Sequence, residues 1–208
     1  MNEKRKIQEL INDFATIRRS HYIHGTDEKE SDIHHSFSVT ALAWMIHDQL
    51  QLSLDIGKIL KYATIHDMVE VYAGDVNSYA SEQVREDKKT AEAESLQRIE
   101  IEFAETFPDM VDRMKQYELK GNDEARFVWI VDKIQALVQG KADNYRAFYE
   151  QGLRKADVLR VHGAHTAKVS SPLKEYYAHI LEEFLEEYDD EKISRDGVVA
   201  GKSSPARK

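Results

Sequence analysis

The chain contains no cysteine. Disulfides, thiolate nucleophiles and sulfur-ligated zinc or iron–sulfur sites are thereby excluded, so any bound metal must rely on histidine and carboxylate. Only 3 prolines and 9 glycines are spread over 208 residues, too few turn formers for a fold of many short strands. A mostly helical chain is expected. Long apolar runs are missing as well. The N-terminal segment sets Ile7, Leu10, Ile11, Phe14 and Ile17 at helical spacing among charges, which fits neither a signal peptide nor a membrane span. No membrane association is expected, and the cytoplasm is the expected compartment. Positive charge is scarce: 29 Lys and Arg stand against 38 Asp and Glu, a net charge of -9. Such a surface suits a nucleic-acid polymer poorly, whereas a small anion is acceptable where the site supplies its own cations.

What is present reads as one soluble globular domain, because 41% hydrophobic and 32% charged residues over this length can bury a single sizeable core. Residues 1–190 are expected to form it. Residues 191–208 turn to Ser, Gly, Lys and Arg with Pro205, and are expected to be a disordered tail. Hydrophobic spacing predicts helices over residues 3–19, 34–50, 55–72, 88–107, 110–117, 127–138, 142–151 and 173–188. Polar stretches at 20–32, with a turn at Gly25-Thr26-Asp27, and at 77–87 read as loops. The segment 127–138 is apolar nearly all round, so it is expected to lie in the centre.

Three of these helices carry ionisable groups where an apolar face should be. Ile56, Ile59, Leu60 and Ala63 form a stripe that runs on into His66, Asp67 and Glu70; His35 precedes Val39, Leu42, Ala43 and Ile46 on another; Asp132 is the only acid of the central segment. A buried imidazole beside a buried carboxylate is costly unless it is hydrogen-bonded, charge-paired or bound to a metal. A hydrogen-bonded core pair explains each of these singly, but three helices converging with two imidazoles and two carboxylates suit a divalent ion. Two further motifs read as incidental. His47-Asp48 sits at a helix end with a solvent-facing phase, and His162-Gly163-Ala164-His165 is interrupted by glycine and reads as loop.

The order His35, then His66-Asp67, then Asp132 resembles the H…HD…D signature of the HD-domain metal-dependent phosphohydrolases. Residues 30–36 (Glu30-Ser31-Asp32-Ile33-His34-His35-Ser36) resemble the stretch around the first histidine in the 5'-deoxynucleotidase branch of that family. His66-Asp67-x-x-Glu70 with Gly74-Asp75-Val76 resembles the second motif, and Glu124 to Val128 leading to Asp132 resembles the third. The likeness covers roughly residues 1–185. Two departures stand out: His34 replaces the glutamate that usually precedes the first histidine, and Arg18-Arg19-Ser20 replaces an Arg-Trp pair.

The resemblance implies an all-α HD helical bundle, one divalent ion (Mn, Co, Fe, Zn or Mg) on His35, His66, Asp67 and Asp132, and hydrolysis of nucleoside 5'-monophosphates, commonly by a homodimer. Glu70, one turn after His66, then reaches the attacking water; Asp75 reaches the leaving-group side or the sugar; Arg18 or Arg19 binds the phosphate. Two rival readings keep the ion. One takes a deoxynucleoside triphosphate or guanosine tetraphosphate as substrate, and the other makes the metal purely structural in a non-catalytic dimeric binding module.

Overall fold

The computed structural model describes residues 3–193. The expected tail therefore lies, beyond residue 193, outside the described residues. Among the described residues the chain is all-α apart from one small hairpin. Its elements are α1 (Glu3–Phe14), β1 (Arg18–Tyr22), β2 (Lys29–Ser31), α2 (Asp32–Gln49), α3 (Ile56–Ile65), α4 (Glu70–Ala73), α5 (Glu82–Phe103), α6 (Pro108–Glu118), α7 (Asp123–Ala142), α8 (Arg146–Glu150), α9 (Lys155–Thr166) and α10 (Leu173–Glu187), followed by a 3-10 turn at Asp190–Lys192. No helix among the described residues is long and apolar enough to cross a membrane.

α7 is the axis. Asn122 caps it, its side chain accepting from the Ala125 amide, and Val128, Val131, Ile134 and Leu137 are fully buried along it. Against it pack α2 through Val39, Ala43 and Ile46 and α3 through Ile59, Tyr62 and Ala63, all fully or almost fully buried. α10 closes the other side with Tyr177, Leu181 and Phe184. The close approach of α7 to α8 and α10 requires Gly140, because a Cβ there would meet the Phe148 ring at 2.5 Å and that of Phe184 at 3.1 Å. A second core, made by Leu10, Met68, Val69, Ile99, Phe103, Val111 and Met114, lies under α4, α5 and α6. Each apolar stripe continues into a polar residue: 39, 43 and 46 are preceded by His35, and 59, 62 and 63 are followed by His66. Packing of α2 and α3 on α7 therefore gathers those residues at one end of the bundle.

Several boundaries depart from the sequence expectations. The first helix stops at Phe14 rather than residue 19, and the supposed loop at 20–32 contains an antiparallel hairpin, its turn at Gly25 as expected, with φ 75°. Its strands lack polar–apolar alternation, so no strand signal was legible. The expected helix 55–72 is broken: His66 ends α3, residues 67–69 form a turn, and α4 restarts at Glu70 and ends at Gly74, whose φ is 78°. α5 begins six residues earlier than expected because Ser81 caps it. Residues 143–145 are irregular, with Asn144 and Tyr145 left-handed, before the short α8. The expected loop at His162-Gly163-Ala164-His165 lies inside α9. One glycine in a helix costs only about 1 kcal/mol, which tertiary packing outweighs.

Candidate metal centre

His35 enters from α2, His66 from the end of α3, Asp67 from the turn that follows and Asp132 from α7. One ligand atom from each lies within 4.8 Å of all the others. His35 Nε2 is 3.2 Å from His66 Nε2, 3.0 Å from Asp132 Oδ1 and 3.4 Å from Asp67 Oδ2, and His66 Nε2 is 3.3 Å from the same Asp67 oxygen. All four residues predicted as ligands are thus brought together.

The partners behind the imidazoles set their tautomers. His35 Nδ1 lies 2.9 Å from the amide oxygen of Gln135, and His66 Nδ1 lies 2.8 Å from the carbonyl of Ala63. Both oxygens can only accept, so both Nδ1 atoms carry hydrogen and both Nε2 lone pairs face the carboxylates. Two lone pairs and two anionic oxygens aimed at one point require a cation. The charge balance says the same. Burial opposes a charged His66, yet Asp67 raises its imidazole above the ordinary value, so this point favours positive charge. Burial likewise opposes ionised Asp132, but Lys133 and His35 hold it well below the usual carboxylate range. The donor set of two nitrogens and two oxygens fits a divalent ion.

Around this cluster the cleft is lined by Arg19, Asp67, Glu70, Asp75, Lys88, Asp132 and Lys133, with Tyr79, Phe148 and His162 further out. Arg19, on β1, donates to Asp67 at 2.7 Å and to Asp32 at 3.2 Å, and its guanidinium stands 3.8 Å from both Glu70 and Asp75. Burial disfavours its charge, but Asp67, Asp75 and Glu70 outweigh burial and keep the guanidinium firmly protonated. Arg18 points the other way: it is exposed and donates to the Ala15 carbonyl at the end of α1. Of the two predicted phosphate-binding arginines, the structure brings only Arg19 to the cleft.

Glu70 is buried at the start of α4, receives Lys88 Nζ on Oε1 at 2.6 Å and leaves Oε2 without a hydrogen bond. Burial, then Asp67, pushes its carboxyl well above the usual range, while Lys88 and Arg19 pull against that shift. Asp75 follows Gly74 and lines the same wall. Lys88 and Lys133 are cations that the sequence reading missed. Lys88 is one of several lysines on a charged helix, and only the packing of α5 against α4 singles it out. Lys133 follows Asp132 directly and donates to it at 2.6 Å. His162 and His165, read as loop residues, line the cleft from α9, and His162 Nδ1 and Nε2 lie 2.6 and 3.0 Å from the hydroxyls of Tyr177 and Tyr79. His47-Asp48 is remote from the cluster, His47 bonding the Leu54 carbonyl at 3.0 Å.

Comparison with known proteins agrees with this geometry. Residues 15–174 match the family model described as HD domain. The chain is 26% identical over 130 residues to 5'-deoxynucleotidase hdd1 of Schizosaccharomyces pombe, covering 60% of this chain, and 24% identical over 132 residues to 5'-deoxynucleotidase HDDC2 of Mus musculus, covering 62%. In each case the match spans 64% of the relative's length. Among solved structures, one described as a predicted metal-dependent phosphohydrolase from Magnetospirillum magnetotacticum superposes with a TM-score of 0.73 at 21% identity, over 89% of this chain and 95% of that one. At that identity the likeness is one of fold. The family match over three quarters of the chain, and a cluster that joins its H, HD and D residues around one point, lead to the same conclusion: the chain belongs to the HD-domain family.

Proposed function

We propose that the protein is a metal-dependent phosphomonoesterase that releases phosphate from nucleoside 5'-monophosphates, deoxyribonucleotides in particular. The observation that carries this reading is the convergence of two imidazole nitrogens and two carboxylate oxygens beside a cleft that holds Arg19, Lys88 and Lys133. The two curated relatives, both named 5'-deoxynucleotidases, support the substrate class.

His35, His66, Asp67 and Asp132 would hold one divalent ion, which supplies Lewis-acid polarisation of the phosphoryl group and of the attacking water. Glu70 orients that water through Oε2, which has no hydrogen bond of its own, and accepts its proton as the oxygen attacks phosphorus; the bond to the 5' oxygen breaks and the proton passes from Glu70 to that oxygen, leaving nucleoside and phosphate. Lys88 holds the other Glu70 oxygen and fixes the carboxylate. Arg19 and Lys133 supply the local positive charge that the acidic chain otherwise lacks, with Arg19 in the phosphate-binding role. Asp75, on the same wall, contacts the sugar. The reading includes a cytoplasmic homodimer. The α2 face bearing Phe37, Trp44 and Met45, all strongly exposed, supports the dimer.

The test is a screen of deoxynucleoside and ribonucleoside mono- and triphosphates against Mn²⁺, Co²⁺ and Mg²⁺, scored by the phosphate species released. Orthophosphate from deoxynucleoside monophosphates with at least one ion is expected. Release of pyrophosphate or triphosphate from nucleotides, or silence across all ions, overturns it.

A further inference from the structure

A second cavity of about 540 Å³ lies between the α2–α3 connection, the first turns of α7 and the segment joining α9 to α10. It shares no lining residue with the catalytic cleft. Its size is that of a small-molecule site. The walls are apolar: Leu54, Phe127, Trp129, Ile130, Val169 and Leu173.

The charges on its lining run against the rest of the molecule. The chain carries a net charge of -9, yet the cavity is bordered by Lys120, Arg126 and Lys168 and a single acid, Asp123. Asp123 is taken up by Arg126 at 2.6 Å. Lys168 and Lys120 form no ion pair among the described residues; the Lys168 ammonium stands 5.8 Å over the Trp129 ring, and that of Lys120 stands 3.4 Å over Tyr117. Lys120 is attracted by the Glu118 carboxylate, which leaves Lys168 as the cation at the edge of this apolar hollow with no ion pair among the described residues. A neutral ligand would leave Lys168 unpaired, and a polyanion would bring more negative charge than this one cation and the hydroxyls of Ser53, Ser170 and Ser171 can meet.

We propose that this cavity is a second ligand site, selective for an amphipathic organic monoanion whose apolar body lies against Trp129 and Phe127 and whose acidic head meets Lys168. The site is one ring away from the catalytic cleft. Trp129 packs edge-on against His165 with ring centroids 5.2 Å apart, and His165 lines the cleft.

The chain has 2 tryptophans, so in the full-length Trp44→Phe variant Trp129 is the only indole reporter. Titration with decanoate, decanol and inorganic phosphate separates the chemistries. Decanoate gives a saturable change in Trp129 emission, inorganic phosphate gives none, and decanol binds roughly tenfold more weakly, the value of one charge-assisted contact. Lys168 is exposed, so Lys168→Glu and Lys168→Gln keep the wild-type melting temperature while weakening decanoate by about tenfold. Absence of a saturable response to decanoate, equal affinity for decanol, or decanoate binding unmoved by both Lys168 variants overturns the proposal.

Discussion

His35 and Gln135, one hundred residues apart, meet at 2.9 Å between Nδ1 and the amide oxygen, and this contact fixes which imidazole nitrogen faces the metal cluster. Gln135 is itself buried and its amide nitrogen lies 3.4 Å from Glu30 Oε1, so its orientation is set from behind. Replacing Gln135 with Leu frees the ring to turn and removes the acceptor for Nδ1–H. Mn²⁺ affinity, measured by calorimetry, is expected to fall by about 10–100-fold, the usual cost of losing such an outer partner. Chelation has the corresponding effect on stability: saturating Mn²⁺ at about a hundred times its dissociation constant adds about 2.7 kcal/mol to unfolding free energy, which EDTA removes. Asp67→Ala is expected to lose both the Mn²⁺-dependent stabilisation and hydrolysis.

Arg19 and Asp32 form the buried ion pair beside the cluster, at 3.2 Å, with the Asp32 side chain fully buried and that of Arg19 16% exposed. Burial pushes the Asp32 carboxyl up to about 6, and Arg19 acts against that shift. Removing only the cation leaves carboxylates without compensation. Arg19→Ala is therefore expected to lower unfolding free energy by about 3–5 kcal/mol in urea denaturation of the metal-saturated protein. Asp32→Asn is expected to cost less, and the Arg19→Ala/Asp32→Asn double variant to recover part of the loss. An additive double variant would show that Asp32 and Arg19 do not stabilise one another.

The candidate metal cluster was legible because burial and chemistry conflict there. His35, His66 and Asp132 occupy positions where the periodicity of α2, α3 and α7 demands apolar side chains, and a conflict of that kind is visible in one dimension. Arg19 and Arg18 are adjacent, and nothing local tells them apart; the hairpin that turns Arg19 inward and Arg18 toward the Ala15 carbonyl arises from pairing between residues 18–22 and 29–31. Lys88 and Lys133 carry no signal of their own, since a lysine on a charged helix or after an aspartate is ordinary. His162 was hidden by Gly163, a local helix-weakening residue whose effect is overridden by the packing of α9 against α7 and α10. The helix break after His66 was hidden for the opposite reason. The apolar spacing of Met68 and Val69 continues the helical pattern, although these residues serve the second core instead.

The homodimer reading places its interface on α2. Phe37, Trp44 and Met45 are 75%, 61% and 65% exposed and fall on one face at spacings of seven and eight residues. A single exposed aromatic residue is unremarkable, but three large apolar side chains on one helix face are what the proposed dimer would cover. Sedimentation equilibrium is expected to give a dimer for the wild type and a monomer for Phe37→Ser/Trp44→Glu, with unchanged far-UV circular dichroism. A wild-type monomer across the micromolar range would remove the dimer from the functional reading.

Stability should also carry the signature of His162. Burial lowers its imidazole from 6.5 to about 3, and both ring nitrogens are already engaged by Tyr177 and Tyr79. The sign follows from proton counting. Between about pH 6.5 and pH 3 the unfolded chain binds a proton at this residue and the folded chain does not, so unfolding free energy rises with pH through that window. The neutral ring contributes fully above pH 6.5, and the contribution is lost as pH falls. One proton of difference corresponds to a slope of about 1.4 kcal/mol per pH unit. His21, lowered to about 3, and His165, lowered to about 4, act in the same direction, burial being the main cause for each. Urea denaturation at intervals from pH 7 to pH 4 should therefore show a steep acid loss in the wild type. His162→Gln keeps polar contacts with the two tyrosines but cannot titrate, so its curve should be shallower by up to about one proton's slope. Equal slopes for the two proteins would mean that His162 is protonated in the folded state, in which case the hydroxyls of Tyr79 and Tyr177 would have to serve it as acceptors rather than one of them as a donor.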